Sequence, residues 1–353
     1  MKPLKAAAYP LYVKVARKVL SETIGLKKGE SLTIETWSNS LPFALTVSLE
    51  AKKMGAIPLI TYEDADSYAE GIRSTPKDAL GVMGKHEFAL LSGSDAYVFI
   101  PGPPIAAFSK QITRQEYIDS TKYNESWYKA AEKAKLRGAR MTFGYVGEDI
   151  AGVFGKTPEA VARHQLQAAL VDFAKVGRKA KEVAGSLVDG RKVTVKGGGA
   201  ALTFEWKGEL EIQDGRTDGD DISSGNNVSY VPPGFVYKEV DSSSVSGKAK
   251  LSPTLTRFGL LEDAALVFEG GKIVQWSSKR SPTVLRSLER AIPEKSRVLY
   301  GVTVGINPLM KFGFGQDRFP SGSVSLVCSF AGILRAATLK SGDDTIVKDG
   351  SLQ

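Results

Sequence analysis

Between Ser40 and Ile60 the chain reads SLPFALTVSLEAKKMGAIPLI. Phe43, Val47, Ala51 and Met54 recur at three- and four-residue intervals, the spacing of one face of an α-helix. Ser40 stands where a hydroxyl can cap the first turn, and Gly55 supplies the stop. The apolar run Ile57-Pro58-Leu59-Ile60 then reads as a buried strand. Upstream, Ser31 to Glu35 alternates apolar Leu32 and Ile34 with polar neighbours, so strand, helix and strand make a β-α-β unit.

The same logic extends outward. Tyr12, Val15 and Val19 lie at helical spacing ahead of Gly25, while Ala96 to Ile100 and Met141 to Tyr145 read as further strands. A helical run opens at Thr157-Pro158-Glu159, with a capping threonine and a first-turn proline, and reaches Glu182. Alternating helices and strands predict an α/β domain with a mainly parallel sheet covered by helices. In such sheets ligands dock at the carboxyl ends of the strands.

After Asp189 the texture changes. Val193 to Lys196, Leu202 to Trp206, Leu210 to Ile212, Val236 to Val240 and Ala265 to Phe268 are short alternating runs divided by turn residues. Gly197-Gly198-Gly199 and Glu269-Gly270-Gly271-Lys272 read as hairpin loops, Asp218-Gly219-Asp220-Asp221 as an exposed acidic turn, and Ser281 to Ala291 as a helix. The chain thus divides into an α/β domain over residues 1–187 and a mainly β, α+β domain over residues 188–353. Its 353 residues exceed what one core usually serves.

Composition narrows the chemistry. No run of eighteen apolar residues exists to span a membrane, and the N-terminus lacks the apolar core of a signal peptide, so a cytoplasmic protein is expected. The lone Cys328, beside Ser325-Leu326-Val327, reads as a buried small hydrophobe. Net charge is +8, with basic residues gathered from Lys133 and Lys135 to Arg140 and again at Lys175, Arg178, Lys179 and Lys181, both in segments that read as helices. Solvated helix faces account for these runs; the second is also a surface suited to an acidic macromolecule such as RNA, a ribosome or a protein complex. The chain has two histidines, His86 and His164, which excludes a multi-histidine zinc site beyond two ligands. No nucleotide fingerprint, nucleophile elbow or His-Glu-x-x-His pattern occurs.

Several segments in order along nearly the whole chain resemble the thermophilic metallo-aminopeptidases of the aminopeptidase T type. Gly25-Leu26-Lys27-Lys28-Gly29-Glu30 and Lys53-Met54-Gly55-Ala56-Ile57-Pro58 are similar to that family's opening unit, and Val193-Thr194-Val195 to Leu202-Thr203-Phe204-Glu205-Trp206 to the start of its catalytic domain. Pro232-Pro233-Gly234-Phe235-Val236-Tyr237 resembles Pro-x-Gly-Glu-Val-Phe, whose glutamate is a metal ligand and is matched here by Phe235. Tyr300 to Pro308 resembles Gly-Glu-Leu-x-x-Gly-x-Asn-Pro, with Val302 placed at the glutamate. Gly322-Ser323-Val324-Ser325 is similar to Gly-Thr-x-His, putting Ser325 at the ligand histidine, with Arg318 at the acid that follows Asp317. Ile333-Leu334-Arg335-Ala336 falls where the family carries His-x-Asp, so Leu334 and Ala336 take the last ligand positions.

The resemblance implies a divergent member without metal ligands, hence no cofactor, no metal and no peptidase activity, acting by binding and paired as a homodimer through C-terminal domains. Replacing acids and imidazoles together avoids stranding like charges in a partly buried site. Two other readings stay open. In one, an active metal-dependent aminopeptidase releases N-terminal residues with relocated ligands among Glu239, Asp241 and Asp317; in the other, a small molecule binds at the parallel sheet's carboxyl edge. Single-iron ring-cleaving relatives of the family need histidine and carboxylate ligands that this chain also lacks.

Overall fold

The computed structural model describes residues 9–102, 112–143, 146–256, 258–313 and 318–353. In chain order the strands are β1 (Ser31–Trp37), β2 (Ile57–Glu63), β3 (Ala96–Phe99), β4 (Arg137–Met141), β5 (Lys192–Gly197), β6 (Ala200–Gln213), β7 (Val228–Val231), β8 (Phe235–Val240) and β9 (Ser246–Lys250). There follow β10 (Thr254–Thr256), β11 (Gly259–Leu261), β12 (Ala264–Glu269), β13 (Lys272–Ser278), β14 (Gly301–Gly305), β15 (Val324–Val327), β16 (Ala331–Leu334), β17 (Thr338–Ser341), β18 (Asp344–Lys348) and β19 (Ser351–Leu352). Contacts divide the chain into one unit of Met1–Ala151, Thr157–Leu170 and Gly215–Pro232, and another of Gly152–Lys156, Val171–Asp214 and Pro233–Gln353. No helix among the described residues is long and apolar enough to cross a membrane.

The first unit is a parallel sheet in the order β2-β1-β3-β4-β7. Leu32 and Ile34 of β1, Ala96 and Val98 of β3, and Ala139 and Met141 of β4 enter one core with Phe43, Val47 and Ala51. The last three come from the helix Leu41–Lys53, as their spacing predicts. Ser40 precedes this helix but its hydroxyl does not cap it. Oγ lies 3.0 Å from Thr36 Oγ1 and donates to the Trp37 carbonyl at 3.3 Å, closing the turn after β1 instead.

Three sequence expectations in this part of the chain are corrected, and one strand is added. The Ile57 to Ile60 run is an edge strand: among the described residues β2 pairs only with β1, and Ile57 is 64% and Leu59 53% exposed. The Met141 to Tyr145 strand lies earlier, because the helix Lys122–Lys133 stops at Lys133, Lys135 turns with φ +51°, and Arg140 is on β4; Tyr145 is outside the described residues. The run from Thr157 to Glu182 is two helices, Pro158–Ala168 and Phe173–Gly185, separated where the Asp172 carboxylate accepts from the Lys175 amide at 3.0 Å and caps the second. The fifth strand of the sheet, β7, was not read from the sequence, since Val-Ser-Tyr-Val is short and embedded among turn residues of the β-rich half.

The second unit is antiparallel and built around β6, which pairs with β5 and β9 near its start and with β8 near its end. Leu202–Trp206 and Leu210–Ile212 are therefore one strand, continuing through a register shift between Trp206 and Leu210. Gly208 sits at that shift with φ +106°, left-handed backbone that favours glycine. The two glycine loops are hairpins as expected, Gly197 pairing with Ala200 and Glu269 with Lys272. Asp218 caps the short helix Gly219–Ser223, which accounts for the acidic cluster as a turn. Phe173, Val176, Ala180 and Val183 of the helix Phe173–Gly185 join Val195, Leu202, Phe204 and Trp206 in the core.

Trp206 is fully buried beside the shift, its Nε1–H donating to Ser341 Oγ at 3.1 Å; Ser341 Oγ in turn donates to the Ser186 carbonyl at 2.6 Å. Both partners lose their contact if the hydroxyl is removed. Ser341→Ala is expected to cost about 1–3 kcal/mol, read as a lower urea midpoint with unchanged slope.

Candidate functional site

Strands β6, β8, β14, β15 and β16 lie side by side in the second unit, and their register decides which of the sequence-selected residues meet. Directly paired residues share a face, and neighbours along a strand alternate. Tyr237, Thr303, Ser325 and Ile333 are paired in one row across β8, β14, β15 and β16. Phe235, two residues from Tyr237, shares that face with its partners Gln213 and Gly305. The structure thus brings Phe235 and Ser325 to one side of the sheet.

Val302 and Leu334 are on the other side. Val302 pairs with Lys238 and Leu326, and Leu334 with Val324; both enter the main apolar core beside Val236 and Val304. Ala336 is exposed in the turn after β16 with φ +42°. These three positions do not join Phe235 and Ser325. The β14 residues on the Phe235 face are Gly301, Thr303 and Gly305, and the sequence reading passed over the first two as site positions. Counting the family motif back from Gly305-Ile306-Asn307-Pro308 would have found the first of them, since its glutamate then falls on Gly301. A side chain at Gly301 would meet the Tyr237 ring, Cε2 being 2.3 Å from the Cβ position.

The two motifs themselves pack together. The Asn307 side-chain amide donates to the Pro233 carbonyl at 2.8 Å and its oxygen accepts from the Leu309 amide at 2.9 Å. Gly234, with φ +115°, lies so close to Asn307 that a Cβ would approach its Cβ at 2.6 Å. This junction fixes the start of β8, and Phe235 packs edge-on against Phe319 with ring centroids 5.1 Å apart.

Polar groups on this face are held by one another. Gln213 donates to Glu211 at 2.6 Å, and the Glu239 carboxylate accepts from the Glu209 amide at 2.9 Å. Burial, then the charges of Glu239, Glu211 and Glu209, push the Tyr237 phenol up to about 12. Asp241 faces its own turn, accepting from the Ser243 amide at 3.1 Å and hydroxyl at 2.6 Å. Arg318 is buried, and Asp317 lies outside the described residues. Ser325 is fully buried and Ser323 buried, and neither Oγ has a hydrogen-bond partner among the described residues. Among the described residues no three His, Cys, Asp or Glu side chains are grouped to hold a metal ion. Burial pushes the Cys328 thiol up to about 12, in keeping with an inert core cysteine.

Lys175, Arg178, Lys179 and Lys181 lie on the helix Phe173–Gly185, whose opposite face carries the buried Phe173, Val176, Ala180 and Val183. Lys179 is engaged within the chain, donating to Glu182 at 2.8 Å and to the Gln353 carbonyl at 2.5 Å. The other basic run is split between a helix end and β4, so its residues form no common helix face.

A helix-covered parallel sheet followed by an antiparallel sheet of this connectivity is the fold of aminopeptidase T. AmpT from Thermus thermophilus is similar to this chain over 98% of its residues and 99% of AmpT, with a TM-score of 0.71 and 15% identity. A 2,5-dihydroxypyridine dioxygenase from Pseudomonas putida KT2440 is similar over 99% of this chain and 98% of its own, with a TM-score of 0.61 and 13% identity. No family model matches the chain, and no curated protein matches it in sequence. At these identities the likeness establishes the fold.

A buried hydroxyl without a partner adds a desolvation cost and no compensating bond. Ser325→Ala is therefore expected to leave the urea midpoint unchanged or to raise stability by up to about 1 kcal/mol. A loss larger than that would mean that the hydroxyl has a partner.

Proposed function

We propose that this chain is an aminopeptidase-T-like protein that has lost metal binding and peptidase activity and acts by engaging a partner. The observation that carries the reading is the row Tyr237, Thr303, Ser325 and Ile333 with Phe235 beside it: one phenol, two hydroxyls and two apolar groups at the face where the family motifs converge. A two-metal hydrolytic centre needs clustered carboxylates and imidazoles to neutralise the cations and leave room for an activated water. Those residues do not fit such a centre, and the Ser325 hydroxyl, which the resemblance sets at an imidazole position, is buried with no hydrogen-bond partner among the described residues. The sequence beyond His164 contains no histidine at all.

The alternative, an active aminopeptidase with relocated ligands, has less support. Glu239 and Glu211 share the face, but each carboxylate already accepts a hydrogen bond from its neighbour, and Asp241 is turned into a local cap. In the proposed reading the protein is a cytoplasmic homodimer, and the net charge of +8 suits an acidic macromolecular partner, either RNA or a protein complex.

The test is metal content of the purified protein together with hydrolysis of aminoacyl p-nitroanilides before and after addition of zinc or cobalt. Substoichiometric metal and no turnover above the uncatalysed rate are expected in every condition. Stoichiometric metal with metal-dependent release of nitroaniline would overturn the reading in favour of the peptidase.

A further inference from the structure

The first unit carries a separate constellation at the carboxyl end of its parallel sheet. Glu35, Phe99, Arg140 and Tyr230 are paired in one row across β1, β3, β4 and β7, so all four side chains leave the same face. Together with Tyr123, Trp127 and Tyr128 of the helix Lys122–Lys133, Glu35, Phe99 and Arg140 line a cavity of about 120 Å³. Its walls are largely aromatic: Tyr97 meets Trp127 edge-on at 5.2 Å, and Trp127 meets Tyr128 at 5.3 Å.

The lining carries one carboxylate, Glu35, and one guanidinium, Arg140, and the carboxylates of Glu63 and Glu87 act on Glu35 or on each other from nearby. Glu35 accepts from the Tyr97 hydroxyl, and Glu87 accepts from the Tyr123 hydroxyl at 2.9 Å and the Gly84 amide at 2.7 Å. Loss of hydration, then the charges of Glu35 and Glu87, push Glu63 up to about 7. Glu35 is raised as well, by loss of hydration first, with the Glu87 charge adding to it and the Tyr97 bond and Arg140 opposing. Three carboxylates thus sense one another with the Arg140 guanidinium as the cation acting on Glu35. On the same face as Glu35, Trp37 is directly paired with Glu63, and its indole N–H is buried with no hydrogen-bond partner among the described residues.

Arg140 indicates which chemistry the walls favour. Its guanidinium carbon is 5.1 Å from the centroid of the Phe99 ring and 5.9 Å from that of Tyr230, so aromatic faces already hold a planar cation next to the cavity. An anion would meet the Glu35 carboxylate with Glu63 and Glu87 acting nearby, whereas a cation would meet the same kind of aromatic faces that hold Arg140. The volume lies below the roughly 300–1,000 Å³ of sites for drug-sized ligands. From these observations we propose that the cavity binds a small organic cation, an ammonium or guanidinium on a short apolar stem, with Glu35 facing the charge and Trp127, Tyr123 and Tyr128 enclosing the stem.

The probe is benzylamine, titrated into the full chain by calorimetry at neutral pH, with benzyl alcohol and benzoate as uncharged and anionic counterparts. Saturable benzylammonium binding is expected, at least tenfold tighter than either counterpart, and at least tenfold weaker in Glu35→Gln and in Trp127→Leu when thermal melts show both variants folded. Should either variant fail to fold, the comparison of the three probes on the natural chain decides. Equal affinity for benzyl alcohol would reduce the site to an apolar cavity, tighter benzoate would assign it to anions through Arg140, and no saturable binding would overturn it. None of these outcomes depends on metal content or hydrolysis.

Discussion

The second unit depends on β6 serving two sets of partners. A strand of 14 residues cannot keep one flat register with β5 and β9 at one end and β8 at the other; the shift between Trp206 and Leu210 re-aims it. Gly208 permits the backbone to turn there, and Trp206, anchored through Ser341 to the Ser186 carbonyl, fills the space behind the turn. Everything downstream inherits the outcome. Because side chains alternate with a period of two, the register of β8 on β6 determines whether Phe235 faces Gln213 or the core, and then which residues of β14 and β15 share its side.

That dependence explains what the sequence could and could not reveal about the site. Phe235 and Ser325 are marked in the sequence by the flanking Pro-Pro-Gly and Gly-Ser-Val, and the pairing puts the two on one face. Val302 was misplaced because Gly301-Val302-Thr303-Val304-Gly305 is apolar or small on both faces, so no hydropathy pattern separates the two sides. Only pairing with β8 does so. The cavity of the first unit was invisible for a different reason: Glu35, Phe99 and Arg140 are single residues on three strands, separated by more than a hundred residues in the chain, and no motif joins them. The sequence could only point to the edge of the sheet where they converge.

The fold was more readable. The helix Leu41–Lys53 follows its 3.6-residue period because it packs one face on β1 and β2, and the glycine hairpins follow from left-handed backbone that only glycine takes without strain. Errors arose where local composition and tertiary position conflict. Lysine and arginine near Arg140 favour a helix by propensity, but Lys135 breaks it and β4 is held by its neighbours on both sides. The apolar β2 looked like an interior strand although it has a neighbour on one side only. The likeness to AmpT at 15% identity is a likeness of fold.

The position of β2 gives its proline a meaning. A strand at a sheet edge offers unpaired amides on which another chain can build, and here Ile57 and Leu59 add exposed apolar surface beside it. Pro58 lies between them, paired in register with Leu32 of β1. Having no N–H, it is tolerated in a strand where the nitrogen faces away from the ladder, which here is the open side. The outer border of the sheet therefore lacks a donor midway through its most adhesive stretch, so a foreign strand laid along it would lose a rung at that point. Within an apolar run that reads as a buried strand, Pro58 thus works against uncontrolled sheet extension.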